Sequence, residues 1–290
     1  RAVTVGSTSS FTTSANNATI ALNTTTNAFT GAVTITTNDN SGTDADVTID
    51  GGTTALILAA STIDGDLTVR SGNASGITDS GTVTVGGNLA ATTDANNGVI
   101  NLGSLAVDGT IALQTHGSGN ATVVNDAGLN FAASTVGGIF NATATTGNIV
   151  DSGALTIAGA AKFITGADGS DIILDSSANA FSGSVTFQAD AGNETFGNIT
   201  FVDSGAVNID STPSGGGGTT TTADVTERSG GASAVCVRTG GSCPYDPRTN
   251  IYSEGGNNDD HIYWDSHAYE FKYTNNIRSF LTEEQLHAGF

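Results

Sequence analysis

The sequence predicts an all-β chain built as a parallel β-helix, a β-solenoid, that ends in a small irregular, disulfide-stapled C-terminal tail. Three observations predict it. Short runs put two branched residues on one face, turn-forming residues separate those runs, and a long stretch repeats without a gap further along the chain. A β-sandwich or β-barrel also uses many short strands, but those folds rarely show such long-period self-similarity.

The strands come first. Ala18-Thr19-Ile20-Ala21-Leu22, Val33-Thr34-Ile35, Val47-Thr48-Ile49, Leu67-Thr68-Val69 and Val83-Thr84-Val85 each alternate branched and small or polar residues. The series runs on through Ile100-Asn101-Leu102, Ile111-Ala112-Leu113, Leu155-Thr156-Ile157, Ile172-Ile173-Leu174, Val185-Thr186-Phe187 and Val207-Asn208-Ile209. Disordered low-complexity tracts lack such doublets. The breakers are mostly glycine, of which there are 39, against 3 prolines. Glycine, Asn, Asp and Ser make turns without ending a sheet.

The repeat comes next. Gly65 to Leu102 aligns onto Gly137 to Leu174, so that Ile77-Thr78-Asp79-Ser80-Gly81 falls on Ile149-Val150-Asp151-Ser152-Gly153. A third copy begins at Phe201-Val202-Asp203-Ser204-Gly205, and Asn27-Ala28-Phe29 through Ile35 recurs as Asn179-Ala180-Phe181 through Phe187. One unit cannot bury its apolar face, whereas stacked coils form a continuous interior. At the twenty-odd residues usual for a coil, the offset from Gly65 to Gly137 predicts three coils, with Thr over Thr and Asn over Asn on the surface. Phe11, Phe29, Phe131, Phe140 and Phe181 are expected as interior stacks.

Charge narrows the function. Asp and Glu outnumber Lys and Arg 28 to 8, a formal charge of -20, which repels phosphate backbones and anionic membranes. No run of about 18 apolar residues is present to span a bilayer. Arg1 leads straight into a strand pattern without a leader's apolar core, so the chain reads as a mature product or a fragment. Catalysis finds little support. Carbohydrate-cleaving β-helices need clustered acids and bases, and Arg1, Arg70, His116 and Lys162 are the basic groups before residue 218, far apart in sequence.

After the solenoid (1–212) a Gly/Thr-rich linker (213–223) leads to an aromatic-rich tail (224–290). The tail holds all five Tyr, the one Trp and both Cys. Cys236 and Cys243 enclose a small loop and are expected to form a disulfide if the chain is secreted; free or metal-binding thiols are the alternative. Thr282 to Gln285 forms a capping box for one short helix over Phe280–Leu286. His261, Trp264, His267, Tyr269 and Tyr273 suit either a zinc or sugar patch or, preferred, a packing surface. Tyr263, Trp264, Tyr269, Phe271 and Tyr273 are the expected contacts for another copy, because aromatics dominate buried interfaces.

Calcium is the cofactor for which the sequence offers a loop motif. Gly255-Gly256-Asn257-Asn258-Asp259-Asp260-His261-Ile262-Tyr263 approaches a calcium-binding nonapeptide, and Gly166 to Leu174, with Asp168 and Asp171, is a second near match. Neither has the tandem neighbour such sites use, so solvated acidic turns are the competing reading. The acidic stretch Asn38 to Asp46 lacks the Glu that would close an EF-hand loop. Seven Asn-x-Ser/Thr sequons, at Asn17, Asn23, Asn73, Asn120, Asn141, Asn193 and Asn198, are about what this composition yields by chance.

The repeated Asn-Ala-Phe-Ser/Thr-Gly-x-Val-Thr and Asp-Ser-Gly-x-Leu/Val-Thr-Ile/Val motifs, with Asp171-Ile172-Ile173-Leu174-Asp175, resemble the repeats of filamentous-haemagglutinin-type bacterial exoproteins over about two thirds of the chain. The resemblance implies a right-handed parallel β-helix, secreted, often by a two-partner route, and acting at the bacterial cell surface in adhesion or biofilm matrices. It also implies that the cysteine pair helps anchor the chain at the outer membrane. The expectation is therefore a non-enzymatic extracellular stalk or filament that joins other copies of itself head to tail. The alternative is an adhesin module that holds a surface glycan, through the tail or through Thr-lined faces such as Thr34/Thr36 and Thr82/Thr84.

Overall fold

Each branched run forms a strand that finds its partner one turn away in the chain, and every pairing from residue 4 to residue 229 is parallel. The computed structural model describes residues 1–38, 45–189 and 197–205, together with the backbones of Asn208–Ile209, Val225–Ser229, Ile262–Asp265 and Glu270–Tyr273. Among these residues there is no helix, and the strands form a β-solenoid of about eight turns. Its walls are parallel sheets of 12 and 13 strands, called here the front and back sheets. A small parallel pair, Thr4–Val5 with Ala28–Phe29, flanks the first turn.

Registers give the length of a turn. It is shortest from Ala121 to Phe140 and longest from Ile20 to Val47 and from Ile172 to Ile199. Three turns carry Leu67 through Leu89 and Ile111 to Phe131, all in the back sheet. Phe140–Ala144, which opens the second copy of the internal repeat, lies half a turn further on, in the front sheet. The repeat therefore spans three and a half turns, where its length alone had predicted three. The Asn27 and Asn179 copies behave consistently. Val33 and Val185 lie in the same sheet, seven turns apart.

The half-turn explains a change of architecture along the rod. The front sheet opens with single strands, Ser9–Thr12 and Val33–Thr36. It then splits into pairs, Leu56–Leu58 with Ser61–Ile63 and Ile77–Asp79 with Val83–Val85. Strand Ile100–Val107 receives both members of the last pair, shifts register between Leu102 and Leu105, and hands over to the single strand Ala121–Asn125. The back sheet does the reverse one half-turn later. Ile111 pairs with Phe131 and Gln114 with Thr135, so one strand becomes the pair Leu129–Phe131 and Ser134–Val136.

Alternate side chains point inward along the strands, and the core is continuous. Between residues 33 and 129 it is aliphatic, as in Ile49, Leu56, Leu67, Val83 and Leu102. From Phe131 onward it carries an aromatic ladder. Phe131, Phe140, Phe163, Phe181 and Phe201 follow one another with ring centroids 5.3, 5.6, 6.1 and 5.1 Å apart, mostly edge to face. Phe187 stacks on Phe163 at 5.8 Å. The expected Phe stacks are thus inside, with Phe11 half-buried against Phe29 at the first turn.

Tight corners need glycine because successive turns touch there. A Cβ at Gly159 would sit 2.4 Å from the Gly138 carbonyl, and one at Gly183 would sit 2.3 Å from the Gly159 oxygen. No side chain fits that column.

Candidate functional site

The described carboxylates lie at corners and strand ends, and several of them, with corner Asn residues, serve the backbone of the next turn. An Asp or Asn placed just before a strand accepts the amide of its equivalent one turn on. Asp46 Oδ1 takes the Asp66 amide at 2.8 Å, Asp66 takes Asn88 at 2.7 Å, and Asn88 takes Thr110 at 2.8 Å. The ladder resumes as Asn148 to Asp171 at 2.8 Å and Asp171 to Asn198 at 2.7 Å. Stacking predicted Asn over Asn; the rungs instead mix Asp, Asn and Thr, and they satisfy corner amides the sheets leave open.

Asp171, a candidate calcium ligand, is one rung of that ladder. Asp168 is exposed in a turn whose Gly169 has φ of 69°. Among the described residues no three His, Cys, Asp or Glu side chains converge to hold a metal. The other candidates, Asp259 and Asp260, lie outside the described residues, as do Cys236, Cys243, His261, His267, Tyr269, the 213–223 linker and the 280–286 helix. Val225–Ser229, beyond that linker, pairs in parallel with Ile199–Asp203. In the tail, Ile262–Asp265 and Glu270–Tyr273 form an antiparallel hairpin that places Trp264 opposite Phe271, Ile262 opposite Tyr273 and Tyr263 opposite Lys272.

The Asp-Ser-Gly motif has a structural role that its sequence did not disclose. Asp79 spreads its two oxygens over the amides of Gly103 and Ser104, at 3.1 and 2.6 Å. Asp151 takes the amides of Asp175 and Ser176 and the Asn179 side chain, at 2.9, 3.3 and 2.7 Å. Burial pushes the Asp151 carboxyl above the usual range, against the downward pull of the Asn179 and backbone hydrogen bonds. In the third copy the motif turns a corner, with Phe201 to Asp203 in the back sheet and Asn208–Ile209 in the front. There Asp203 is buried and accepts the Phe181 and Gly205 amides.

Among the described residues basic side chains are not gathered. Arg70 bridges Asp94 at 3.0 Å and approaches Asp50 at 3.9 Å across neighbouring turns, while His116 lies at a corner and Lys162 in a front-sheet strand several turns on. Of the expected threonine ranks, Thr36, Thr62 and Thr84 stand in direct register in the front sheet, and Thr82 contacts Ser104 at 3.1 Å. Thr34 stands instead over Ser10.

Two stretches, residues 44–108 and 118–188, match a family model described as Repeats of unknown function (DUF5649). Together they span just under half of the chain and fall on the two copies of the internal repeat. No curated protein and no solved structure matches the chain.

Proposed function

We propose that the chain is a non-enzymatic, secreted structural protein of the bacterial surface: a right-handed solenoid segment of a stalk or filament. What carries this reading is the solenoid itself, about eight turns bonded in parallel around one unbroken core, with corner Asp and Asn side chains bonded to the next turn. Such an object resists bending and offers length. Right-handedness is the general rule for parallel crossovers and is what the filamentous-haemagglutinin-type resemblance implies. In this reading the 224–290 segment, stapled by Cys236 and Cys243, joins one copy to the next through Tyr263, Trp264, Tyr269, Phe271 and Tyr273. Calcium at Asp259 and Asp260 would brace that joint.

A second reading, an adhesin module that holds a surface glycan, is favoured by the Thr36–Thr62–Thr84 rank. Electron microscopy of the purified chain, with and without chelator and reductant, separates the two. Long unbranched fibres support head-to-tail assembly, and their loss under chelator or reductant would assign calcium or the disulfide. Short single rods under every condition would overturn assembly and leave the binding module.

A further inference from the structure

We infer that the first turn of the solenoid is the receiving face of the head-to-tail joint, and that the turn ending in Val225–Ser229 of a second copy lies on it as one more parallel turn. The inference rests on the assembly reading above and supplies the surface that the end of the neighbouring copy meets. Among the described residues, Ser9–Thr12 pairs only with Val33–Thr36, and Ile20–Leu22 only with Val47–Asp50. Both walls are therefore open at this end. The Ser9 and Thr13 amides donate to the Ala32 and Thr36 carbonyls and the Ile20 amide to that of Asp46, so by alternation the Ser10, Thr12 and Ala21 amides face the open edge. Apolar side chains lack cover there too. Val3, Val5, Phe11 and Leu22 are half-buried against the core, whereas Ile35, Ile49 and Leu67 on the next turns are fully buried.

A buried hydroxyl marks what the edge lacks. Ser9-Ser10-Phe11 opens a strand as Ser61-Thr62-Ile63 and Ser134-Thr135-Val136 do. In the two inner copies the serine hydroxyl accepts an amide of the turn before, Ile35 at 2.9 Å for Ser61 and Leu113 at 3.0 Å for Ser134. Ser9 Oγ is buried as well, and it has no partner. An unpaired buried polar atom is costly, and the donor missing here is an amide of a turn lying before the first.

Charge and strand direction select the last turn of a second copy. The first 38 residues hold one charged side chain, Arg1, whereas residues 199–229 hold Asp203, Asp210, Asp224 and Glu227 against Arg228. In a chain of net charge -20 the first turn is thus the end that admits an acidic partner. The back sheet opens with Ile20–Leu22 and closes with Val225–Ser229, and the front sheet opens with Ser9–Thr12 and closes with Asn208–Ile209, all in parallel. One partner then covers both walls with strands of the direction already in use. Another first turn would meet this one antiparallel and without opposite charge, and would close a pair instead of a fibre.

The test follows the full chain by sedimentation and by particle length in electron micrographs as protein concentration is raised from single rods. The parent is expected to lengthen by whole rods. The double variant Ser10→Pro, Ala21→Pro removes two donors from the open edge, where proline is tolerated, and is expected to stay single with its circular dichroism unchanged. Ser9→Ala removes a hydroxyl that is unpaired in a single rod and bonded in the joint. It is expected to keep or raise the urea midpoint of single rods while shortening the fibres. Fibres of parental length from either variant would overturn the inference and leave head-to-tail assembly through the tail standing. A parent that stays in single rods would overturn both, and a parent that stops at pairs would mean first turn on first turn and overturn the receiving role.

Discussion

Residues 77–102 and 149–174 carry the same strand pattern, yet Ile77 and Val83 belong to the front sheet while Ile149 and Leu155 belong to the back. Leu89–Thr93 and Ala161–Thr165 are exchanged the other way. What a strand's own residues decide is which side of it faces the core. Which wall it joins depends on how many half-turns of chain come before it. An odd number of half-turns per repeat makes the walls trade roles, and the two cores then diverge. The small inward Ala91 of the first copy corresponds to Phe163 in the second, where the aromatic ladder runs.

The largest expected effect tests that divergence. Phe163 touches the rings of Phe140, Phe181 and Phe187, so Phe163→Ala opens a large void and should cost about 3–5 kcal/mol. Repeat proteins couple mainly to their neighbours. Hydrogen exchange should therefore show the turns around residues 140–189 losing protection, with residues 47–93 little changed. A uniform loss along the rod would show that the two copies fold as one unit.

The second test compares equivalent glycines. A Cβ at Gly153 would stand 2.3 Å from the Ala133 amide nitrogen, whereas at Gly81 the corresponding distance, to Ala60, is 2.9 Å. Gly153→Ala should cost about 1–3 kcal/mol by overpacking, and Gly81→Ala less. Urea midpoints of the two variants rank them, and equal losses would contradict the closer approach at Gly153.

The motif aspartates give the third. Asp151→Asn leaves one amide acceptor where two were used, and for this half-buried group the loss should be about 1 kcal/mol at neutral pH. The pH dependence has a definite sign. Because its pKa is raised on folding, the native state holds the Asp151 proton in the window just above the ordinary value of 3.8. The stability linked to that proton is present below the window and is lost as pH rises through the folded pKa. Relative to Asp151→Asn, the parent's stability should fall as pH is raised from that ordinary value toward neutrality, and a rise there would refute the assignment.

These contrasts mark what the sequence could and could not disclose. Alternation such as Val83-Thr84-Val85 specifies inward and outward positions directly, since a strand has period two, and the self-alignment of Ile77 to Gly81 with Ile149 to Gly153 implies stacking. The exchange of walls was hidden because the offset between the copies does not say how many corners it contains. The structural use of Asp79 and Asp151 was hidden because their partners, Ser104 and Ser176, lie 25 residues on and are read only once turns are stacked. Sequence foresaw like-over-like ranks such as Thr62 with Thr84, but the corner ladder from Asp66 to Asn88 mixes residue types and is read only once turns are stacked.

The smallest expected effect concerns the one place where the ungapped alignment misleads. It sets Leu67 against Ile139, but Leu67 is fully buried while Ile139 is 48% exposed. The inward residues of the second copy are Phe140, Ala142 and Ala144, one position later than Leu67, Val69 and Ser71 would place them. The connection 145–148 joins that strand to Ile149, and it is one position shorter than 72–76, which joins the first copy's strand to Ile77. Because a strand has period two, a one-residue difference turns every side chain over, and the shorter turn restores the phase by Ile149. Ile139→Thr should therefore stay within about 0.5 kcal/mol of the parent, as surface changes do. Leu67→Thr, which buries an unpartnered hydroxyl and leaves a void, should cost several times more. Equal urea midpoints for the two variants would mean that Ile139 packs inward and that the copies are in phase from their first strand.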